Sequence, residues 1–151
     1  MKKSFIGLVI LLTLSTSALR ANNTEPVSAK VLASFQKEFV AAANVSWTTE
    51  KEKNLFHAKF QYNDETIEAY FNVDGTLLAV ARQISERQMP IMVTKSLATD
   101  YSNYRIRRVV EFTNEGETCY IVNLYDKNET IVLKYFSNGD SQRIKRVKNK
   151  F

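Results

Sequence analysis

Two side chains with catalytic potential occur once each in this sequence, the imidazole of His57 and the thiol of Cys119. An imidazole can serve as a general base and a thiolate as a nucleophile, but each needs a neighbouring group that orients or activates it. Both residues lie in stretches of alternating apolar and polar residues, which are typical of strands, and no third catalytic group accompanies them. The pattern favours a surface histidine and a packed structural thiol, and single copies exclude multi-histidine and cysteine-cluster metal sites. We therefore expect no catalytic, cofactor-binding or metal-binding residues.

Two further groups of charged residues have a possible chemical use. Asp64 and Glu65 are adjacent carboxylates, but acid–base catalysis pairs such groups in a dry cleft and these lie in a predicted turn. Arg105, Arg107 and Arg108 lie in one predicted strand, with Arg105 and Arg107 on one side and Arg108 on the other. Aromatic residues that could stack on bases do not alternate with them. We interpret these arginines as charge at a strand edge and expect no nucleic-acid partner.

The composition is that of an ordinary folded domain, with 44% hydrophobic and 25% charged residues over 151 residues. The formal net charge is +5. Five of the basic residues belong to the last nine positions, namely Arg143, Lys145, Arg146, Lys148 and Lys150. The basicity is therefore a local feature of the C-terminal tail and does not extend over the domain.

The first 21 residues have the layout of a secretory signal peptide. Lys2 and Lys3 precede an apolar run, Phe5 to Leu14, and small or polar residues follow as far as Ala21. The run is too short to anchor the mature chain across a bilayer. We predict cleavage after Ala21, with Ala18 as the alternative, and a mature domain of residues 22–151. This domain would be periplasmic or secreted, with no membrane span and no cysteine near the cleavage region for lipid attachment.

The mature sequence resembles itself at a spacing of 64 residues. Residues 63–75 align with residues 127–139, with identities at Glu65/Glu129, Thr66/Thr130, Ile67/Ile131 and Gly75/Gly139. Each copy is predicted to be a helix followed by four strands, over about 27–84 and 89–148. The pairs Asp74-Gly75 and Asn138-Gly139 are typical of two-residue type I′ hairpins. We therefore predict an α+β fold of two tandem αββββ repeats, with an antiparallel sheet and both helices on one face.

Alternation within the strands assigns residues to two faces of this sheet. The residues expected between helices and sheet include Phe35, Trp47, Phe60, Phe71 and Tyr135. The opposite face is polar in the first repeat and richer in apolar and aromatic residues in the second. Exposed aromatic side chains often anchor a partner, and the candidate partner-binding residues are Tyr70, Tyr125, Phe136, Ile121 and Lys59. The alternative is that a loop, the tail or a second copy of the chain covers this face.

Three short motifs, in this order, resemble a known family. They are a first helix ending in Ala42-Ala43-Asn44-Val45-Ser46-Trp47, Phe-x-Val-Asp-Gly at Phe71 to Gly75, and Met89-Pro90-Ile91-Met92-Val93 opening the second helix. Their order and spacing resemble the PepSY-like, beta-lactamase-inhibitor-like family of exported bacterial proteins common in the Bacteroidetes, over roughly Val27 to Val147. The resemblance implies tandem helix-plus-sheet repeats like those of the beta-lactamase inhibitor protein. It also implies a binding or inhibitory role and no catalytic residues.

The sequence therefore predicts a non-enzymatic binding module outside the cytoplasm, with a protein partner in the envelope or beyond it. Inhibition of an extracytoplasmic enzyme is one form of that role. The alternative is an envelope structural or assembly protein that self-associates through the same sheet face, in which case the chain is an oligomer.

Export gives a direct test of the predicted signal peptide. We expect the protein recovered from outside the cytoplasm to begin near Asn22, because the apolar run and the small residues before it fit signal-peptide cleavage. N-terminal sequencing of that fraction measures the first residue. An intact Met1 on envelope-located protein would contradict the prediction.

Overall fold

A computed structural model describes residues 26–149, and the predicted signal peptide lies outside this range. The elements, in chain order, are α1 (Ala29–Glu38), β1 (Ala43–Glu50), β2 (Leu55–Tyr62), β3 (Glu65–Asn72), β4 (Leu77–Ile84), α2 (Ile91–Asp100), β5 (Arg105–Asn114), β6 (Glu117–Tyr125), β7 (Glu129–Phe136) and β8 (Ser141–Lys148). All eight strands form one antiparallel sheet in the order in which they occur in the chain. The predicted α+β class with an antiparallel sheet is confirmed. Within residues 26–149, neither helix has the length and apolarity that a bilayer span requires.

Both helices pack on the same face of the sheet, which we call the inner face. Helix α1 begins after Ser28, whose side chain accepts a hydrogen bond from the Val31 N–H at 3.3 Å, a standard N-cap. Val31 and Phe35 lie one turn apart on its buried side, and Val93 and Leu97 occupy the same places in α2. A spacing of four residues aligns side chains on one helical face, so each short helix contributes one apolar stripe to the core.

The core consists of two clusters on the inner face, one under each helix. The first surrounds Phe35, Phe60 and Phe71, and the second surrounds Val93, Leu124 and Tyr135. Of the residues predicted to be buried, Phe35, Phe60, Phe71 and Tyr135 are buried. Trp47 is only half-buried because it lies in edge strand β1, where its ring packs against that of Phe35 at 5.2 Å.

The prediction of type I′ turns at Asp74-Gly75 and Asn138-Gly139 is wrong. In the first pair only Gly75 has a positive φ, +89°. The Gly75 N–H donates to the Asn72 carbonyl and the Asn72 N–H donates to the Thr76 carbonyl, which is a three-residue loop closed by a left-handed glycine. Asp74 takes part in a different local bond, because its carboxylate accepts from the Thr76 N–H at 3.0 Å. Hairpins with two positive-φ residues occur instead at Asn63-Asp64 and Glu115-Gly116.

Two hairpin glycines lie directly against the helices. A Cβ atom on Gly75 would lie 2.9 Å from the Lys30 carbonyl oxygen in the first turn of α1. A Cβ atom on Gly139 would lie 2.9 Å from the Met92 carbonyl oxygen in the first turn of α2. Real Cβ atoms do not approach backbone so closely, so these two glycines set the distance between each helix and its hairpin.

Ion pairs close the inner face where the helices do not reach. Arg82 of β4 donates to Glu65 of β3 at 2.8 Å and to Glu111 of β5 at 2.5 Å. Arg146 of β8 donates to Glu129 of β7. The Arg82–Glu65 pair in the first half and the Arg146–Glu129 pair in the second half are related by the same offset of 64 residues. The aligned segments 63–75 and 127–139 contain the two glutamates but not the two arginines. Arg82 also links the first four strands to the last four.

The glycine contacts predict a difference between two otherwise similar substitutions. Gly75→Ala and Gly116→Ala both place a Cβ on a residue with positive φ, which costs about 1–2 kcal/mol. Only at Gly75 must the helix also move, because nothing lies within 4 Å of a Cβ on Gly116. We expect Gly75→Ala to lower the free energy of unfolding by about 1–3 kcal/mol more than Gly116→Ala, as overpacking does.

Urea unfolding followed by circular dichroism measures both values. If both variants lose the same free energy of unfolding, the contact between α1 and the hairpin at Gly75 does not limit the space for a side chain there.

Candidate functional site: the outer face of the sheet

The outer face comprises the strand residues that point away from the helices. Within residues 26–149 no helix packs on it, yet its centre is buried. Five apolar side chains, each at most 5% exposed, form this centre: Leu55, Tyr70, Ala79, Ala81 and Val110. The two alanines are small enough that larger side chains on neighbouring strands bury them, although no further layer of structure packs on this face within residues 26–149. The result is an apolar floor surrounded by polar and charged side chains.

A three-residue network lies at one side of this floor. His57 of β2 faces Tyr70 of β3 directly across the strand pair, and the two rings stack with centroids 4.6 Å apart and planes within 6°. The Tyr70 hydroxyl donates to Glu68 Oε2 at 3.0 Å, and His57 Nε2 lies 3.2 Å from the same oxygen, an ion-pair contact without hydrogen-bond geometry. The imidazole is therefore partly buried and held by two neighbours, which differs from the freely exposed histidine that alternation predicted.

The electrostatics of the network favour an ionised Glu68 and a neutral Tyr70. The close contact with His57 is the largest cause that lowers the pKa of Glu68 below its usual value, against the opposing effect of burial. Burial, and then the charge of Glu68, raises the pKa of the Tyr70 phenol well above its usual value. At neutral pH, Glu68 is a carboxylate that accepts from a protonated Tyr70. Tyr70 is thus a donor here and lacks the ionised form that a nucleophile or base needs.

The structure changes the description of two predicted binding residues. Tyr70 lies on the outer face as predicted, but its ring is only 5% exposed because His57 and Phe112 pack against it. Ile121 is likewise partly buried against the apolar floor. Both therefore support the surface from beneath, and neither presents a large free contact area to a partner.

The other two aromatic residues are more accessible, and each has a cation over its ring. The Arg107 guanidinium lies 4.8 Å from the Tyr125 ring centroid, and the Lys134 ammonium lies 5.0 Å from that of Phe136. Phe136 is 40% exposed. Phe136 pairs with Cys119 on β6, and Tyr125 lies six residues further along that strand. At about 3.4 Å per residue the two aromatics are roughly 20 Å apart along the strands, so they mark opposite ends of the β6–β7 pair on the outer face.

A bulge in β5 corrects the predicted facing of the arginines. The register shifts between Ile106, which pairs with Leu124, and Arg108, which pairs with Asn123. Arg107 is the extra residue, and it reaches over Tyr125 on the same face as Arg108. The prediction that Arg107 and Arg108 point to opposite sides is therefore wrong, since a bulge places two successive residues against one partner. The signal was present in the sequence, because inward-facing Ile106 and Val109 are an odd number of residues apart.

A cleft of about 180 Å³ lies beside the apolar floor, and we call it the central cleft. Its lining residues come from strands β2 to β5: Lys59, Thr66, Glu68, Ala81, Arg82, Gln83, Arg108 and Val110. Lys59 is exposed at its rim. The Nε of Arg108 is buried and has no hydrogen-bond partner among the described residues. Arg108 lies on the outer face in regular alternation with Val110, and the bulge at Arg107 changes the facing only of the residues before Arg108.

The remaining chemically active groups are not assembled into a site. Cys119 is buried, and burial raises the pKa of its thiol. Its strand, β6, is separated from the His57 strand by three others. Within the described residues, no three histidine, cysteine, aspartate or glutamate side chains come together as metal ligands would. Asp64 lies in the exposed turn between β2 and β3, while Glu65 is bound to Arg82.

Comparison with known proteins identifies the fold. No protein-family model matches the chain, and no curated protein matches it. A BLIP-like protein from Bacteroides fragilis superposes with a TM-score of 0.72 at 19% identity, covering 85% of this chain and 92% of that one. A DUF2874 family protein from Bacteroides ovatus gives 0.72 at 19% identity, covering 82% and 89%. A protein from Bacteroides eggerthii, described as a candidate periplasmic protein, gives 0.72 at 14% identity, covering 82% and 90%.

The chain therefore has the fold of these DUF2874 and BLIP-like proteins. This agrees with the beta-lactamase-inhibitor-like part of the family resemblance. The PepSY-like part stays a prediction.

The Glu68 network predicts a stability effect that depends on pH. Glu68→Gln should lower the free energy of unfolding by about 1 kcal/mol near pH 7, since hydrogen bonds to a charged group are lost. The folded-state pKa of Glu68 is depressed, so this stabilisation is present above the usual value of 4.5 and is lost as pH falls through the lowered pKa. The gap between the two proteins should close below pH 4.5.

Denaturant unfolding at several pH values measures this gap. Glu117→Gln, at an exposed position on β6, is the matched control and should give a small difference that varies little with pH. A Glu68→Gln deficit that stays constant down to pH 3 would show that the carboxylate charge is not what stabilises the network.

Proposed function

We propose that this protein is an exported, non-enzymatic binding module that holds a protein partner on its outer face. One observation carries the proposal: both helices cover the inner face, while the outer face presents Tyr125 and Phe136 on β6 and β7 beside a charged cleft that lies between β2 and β5. Accessible aromatic residues beside an apolar floor with a polar rim resemble the anatomy of protein interfaces.

The absence of enzymatic activity is part of the same proposal. The Tyr70 phenol and the Cys119 thiol both have raised pKa values, because burial disfavours their ionised forms. His57 shares its carboxylate with Tyr70 and stacks on that ring, so its orientation is explained by local packing. The outer face therefore supports binding better than it supports acid–base or nucleophilic chemistry.

We also infer that the two halves are copies of one αββββ unit. The support is a spacing of 64 residues between Gly75 and Gly139, and between the Arg82–Glu65 and Arg146–Glu129 pairs. On the outer face, by contrast, aligned positions differ: His57/Ile121, Lys59/Asn123, Gln61/Tyr125, Tyr70/Lys134 and Asn72/Phe136. Inner positions are constrained by packing against the helices, whereas outer positions were free to acquire an asymmetric binding surface.

The cellular setting and the finer role belong to this proposal as well. The signal-peptide pattern in residues 1–21 supports export, as does the description of the Bacteroides eggerthii structure as a candidate periplasmic protein. The likeness to a BLIP-like protein and the predicted PepSY-like family support inhibition of an extracytoplasmic enzyme as the form that binding takes. The alternative role is envelope assembly through self-association of the same face.

The double variant Tyr125→Ala/Phe136→Ala tests the proposed face. We expect it to stay folded and to lose the partner that the wild-type protein recovers from the native envelope, because buried interface aromatics contribute at least about 2 kcal/mol each when they are hot spots. Affinity capture followed by mass spectrometry measures recovery, and circular dichroism checks the fold.

The matched control is Val40→Ala/Ile91→Ala, which removes two exposed apolar side chains away from the outer face. It should leave recovery unchanged. Equal recovery by the folded Tyr125→Ala/Phe136→Ala variant would reject the outer face as the binding surface. If the wild-type protein recovers only itself, and the outer-face variant loses this, self-association is the function.

A further inference from the structure

We propose that the central cleft receives a carboxylate side chain from an acidic segment of the partner, held between Arg108 and Lys59. This inference rests on the proposed function and specifies the chemistry of the partner. It starts from an arginine that is partly buried on the outer face without an ion-pair partner among the described residues.

Arg108 is the first element of the argument. Its Nε lies buried at the cleft without a hydrogen-bond partner, and within residues 26–149 no carboxylate lies within ion-pair distance of it, although its charge helps to lower the pKa of Glu68 in the same cleft. Buried polar groups are nearly always paired, because an unpaired one keeps its full desolvation cost. Arg108 lies on this face in alternation with Val110, and the adjacent bulge places Arg107 on the same face, as bulges re-aim side chains beside functional sites.

Lys59 is the second element. It lies opposite Glu68 in the β2–β3 register. The Glu68 carboxylate is already taken by Tyr70 and His57, and no ion pair joins it to Lys59 in the part of the chain that the structure describes. Lys59 therefore remains available to an external anion at the cleft rim. Arg82 also borders the cleft, but its side chain lies on the inner face, where Glu65 and Glu111 neutralise it.

The surroundings favour a protein carboxylate over a nucleic acid. Glu68 is part of the cleft lining and repels a run of phosphates, whereas a single carboxylate can lie on the Arg108 side of it. None of the residues that line the cleft is aromatic, so the cleft offers no ring on which a base could stack. A guanidinium fork matches one carboxylate in geometry and charge. Arg107 and Lys134 add positive charge at the two ends of the surface, which suits an acidic segment.

The experiment uses a capped hexaglutamate peptide as the probe and the mature protein as the receptor. In a two-dimensional NMR titration, we expect saturable shifts of the Arg108 Nε–H signal and of the Gln83 and Val110 amides. Arg108→Gln should weaken binding at least about tenfold, the usual effect of removing a charged hydrogen-bond donor. Lys95→Gln makes the same change in net charge on exposed α2 and should leave the affinity unchanged.

Three results would overturn the proposal. The first is equal weakening by Arg108→Gln and Lys95→Gln, and the second is confinement of the shifts to the basic strand β8. The third is tighter binding of hexathymidylate in the same cleft, which would favour nucleic acid. If Arg108→Gln does not fold, Lys59→Gln at the exposed rim gives the same comparison with Lys95→Gln.

Failure of this inference can be told apart from failure of the proposed function. If the envelope partner is lost by Tyr125→Ala/Phe136→Ala but retained by folded Arg108→Gln, the outer face is the binding surface and the carboxylate proposal fails. If the peptide binds at Arg108 but no partner depends on the outer face, the cleft proposal holds and the proposed function fails.

Discussion

The structure depends on how two short helices cover one face of an eight-stranded sheet. Each helix has ten residues and is about 15 Å long, while eight strands at about 4.8 Å spacing extend over roughly 34 Å. Two such helices cannot cover the inner sides of all eight strands. Gly75 and Gly139 permit the close approach, and the Arg82 and Arg146 ion pairs satisfy the inner face beyond the helices.

The outer face meets the opposite problem, because neither helix covers it. The chain reduces the apolar area with small residues, Ala79 and Ala81, and stacks His57 on Tyr70 above them. At the two ends, cations cover Tyr125 and Phe136. A partner's side chain can displace the cation from either ring, because surface cation–aromatic contacts contribute only about 0.5–1 kcal/mol. The aromatic residues and the cations of the cleft are thus accessible for the same reason, namely that neither helix packs on the outer face.

Much of this could be predicted from the sequence, and the limits have identifiable causes. Alternation placed Phe60, Phe71 and Tyr135 on the buried face correctly, because a period of two is imposed by strand geometry. Alternation failed at Arg107, where one bulged residue reverses the facing of those before it. Burial of Tyr70 could not be foreseen either, since it depends on which residue lies opposite across the strands. The prediction at Asp74-Gly75 failed because an Asp-Gly pair occurs both in two-residue type I′ hairpins and in three-residue loops that end in a left-handed glycine. The bond from the Thr76 N–H to the Asp74 carboxylate belongs to the three-residue loop.

The order of strands in the sheet has a consequence for how the chain reaches this fold. Every strand pairs only with its neighbours in sequence, so each hairpin closes a short loop and contact order is low for a β-rich protein. The first half can therefore assemble while the second is still unstructured. The β4–β5 pairing closes the longest connection in the sheet, which contains α2, so we expect it to form last. Mutations at Arg82 and Glu111 would then change the unfolding rate more than the folding rate, since residues that form contacts after the transition state act in that way. Slow hydrogen exchange should likewise divide into two cooperative units that meet at this seam.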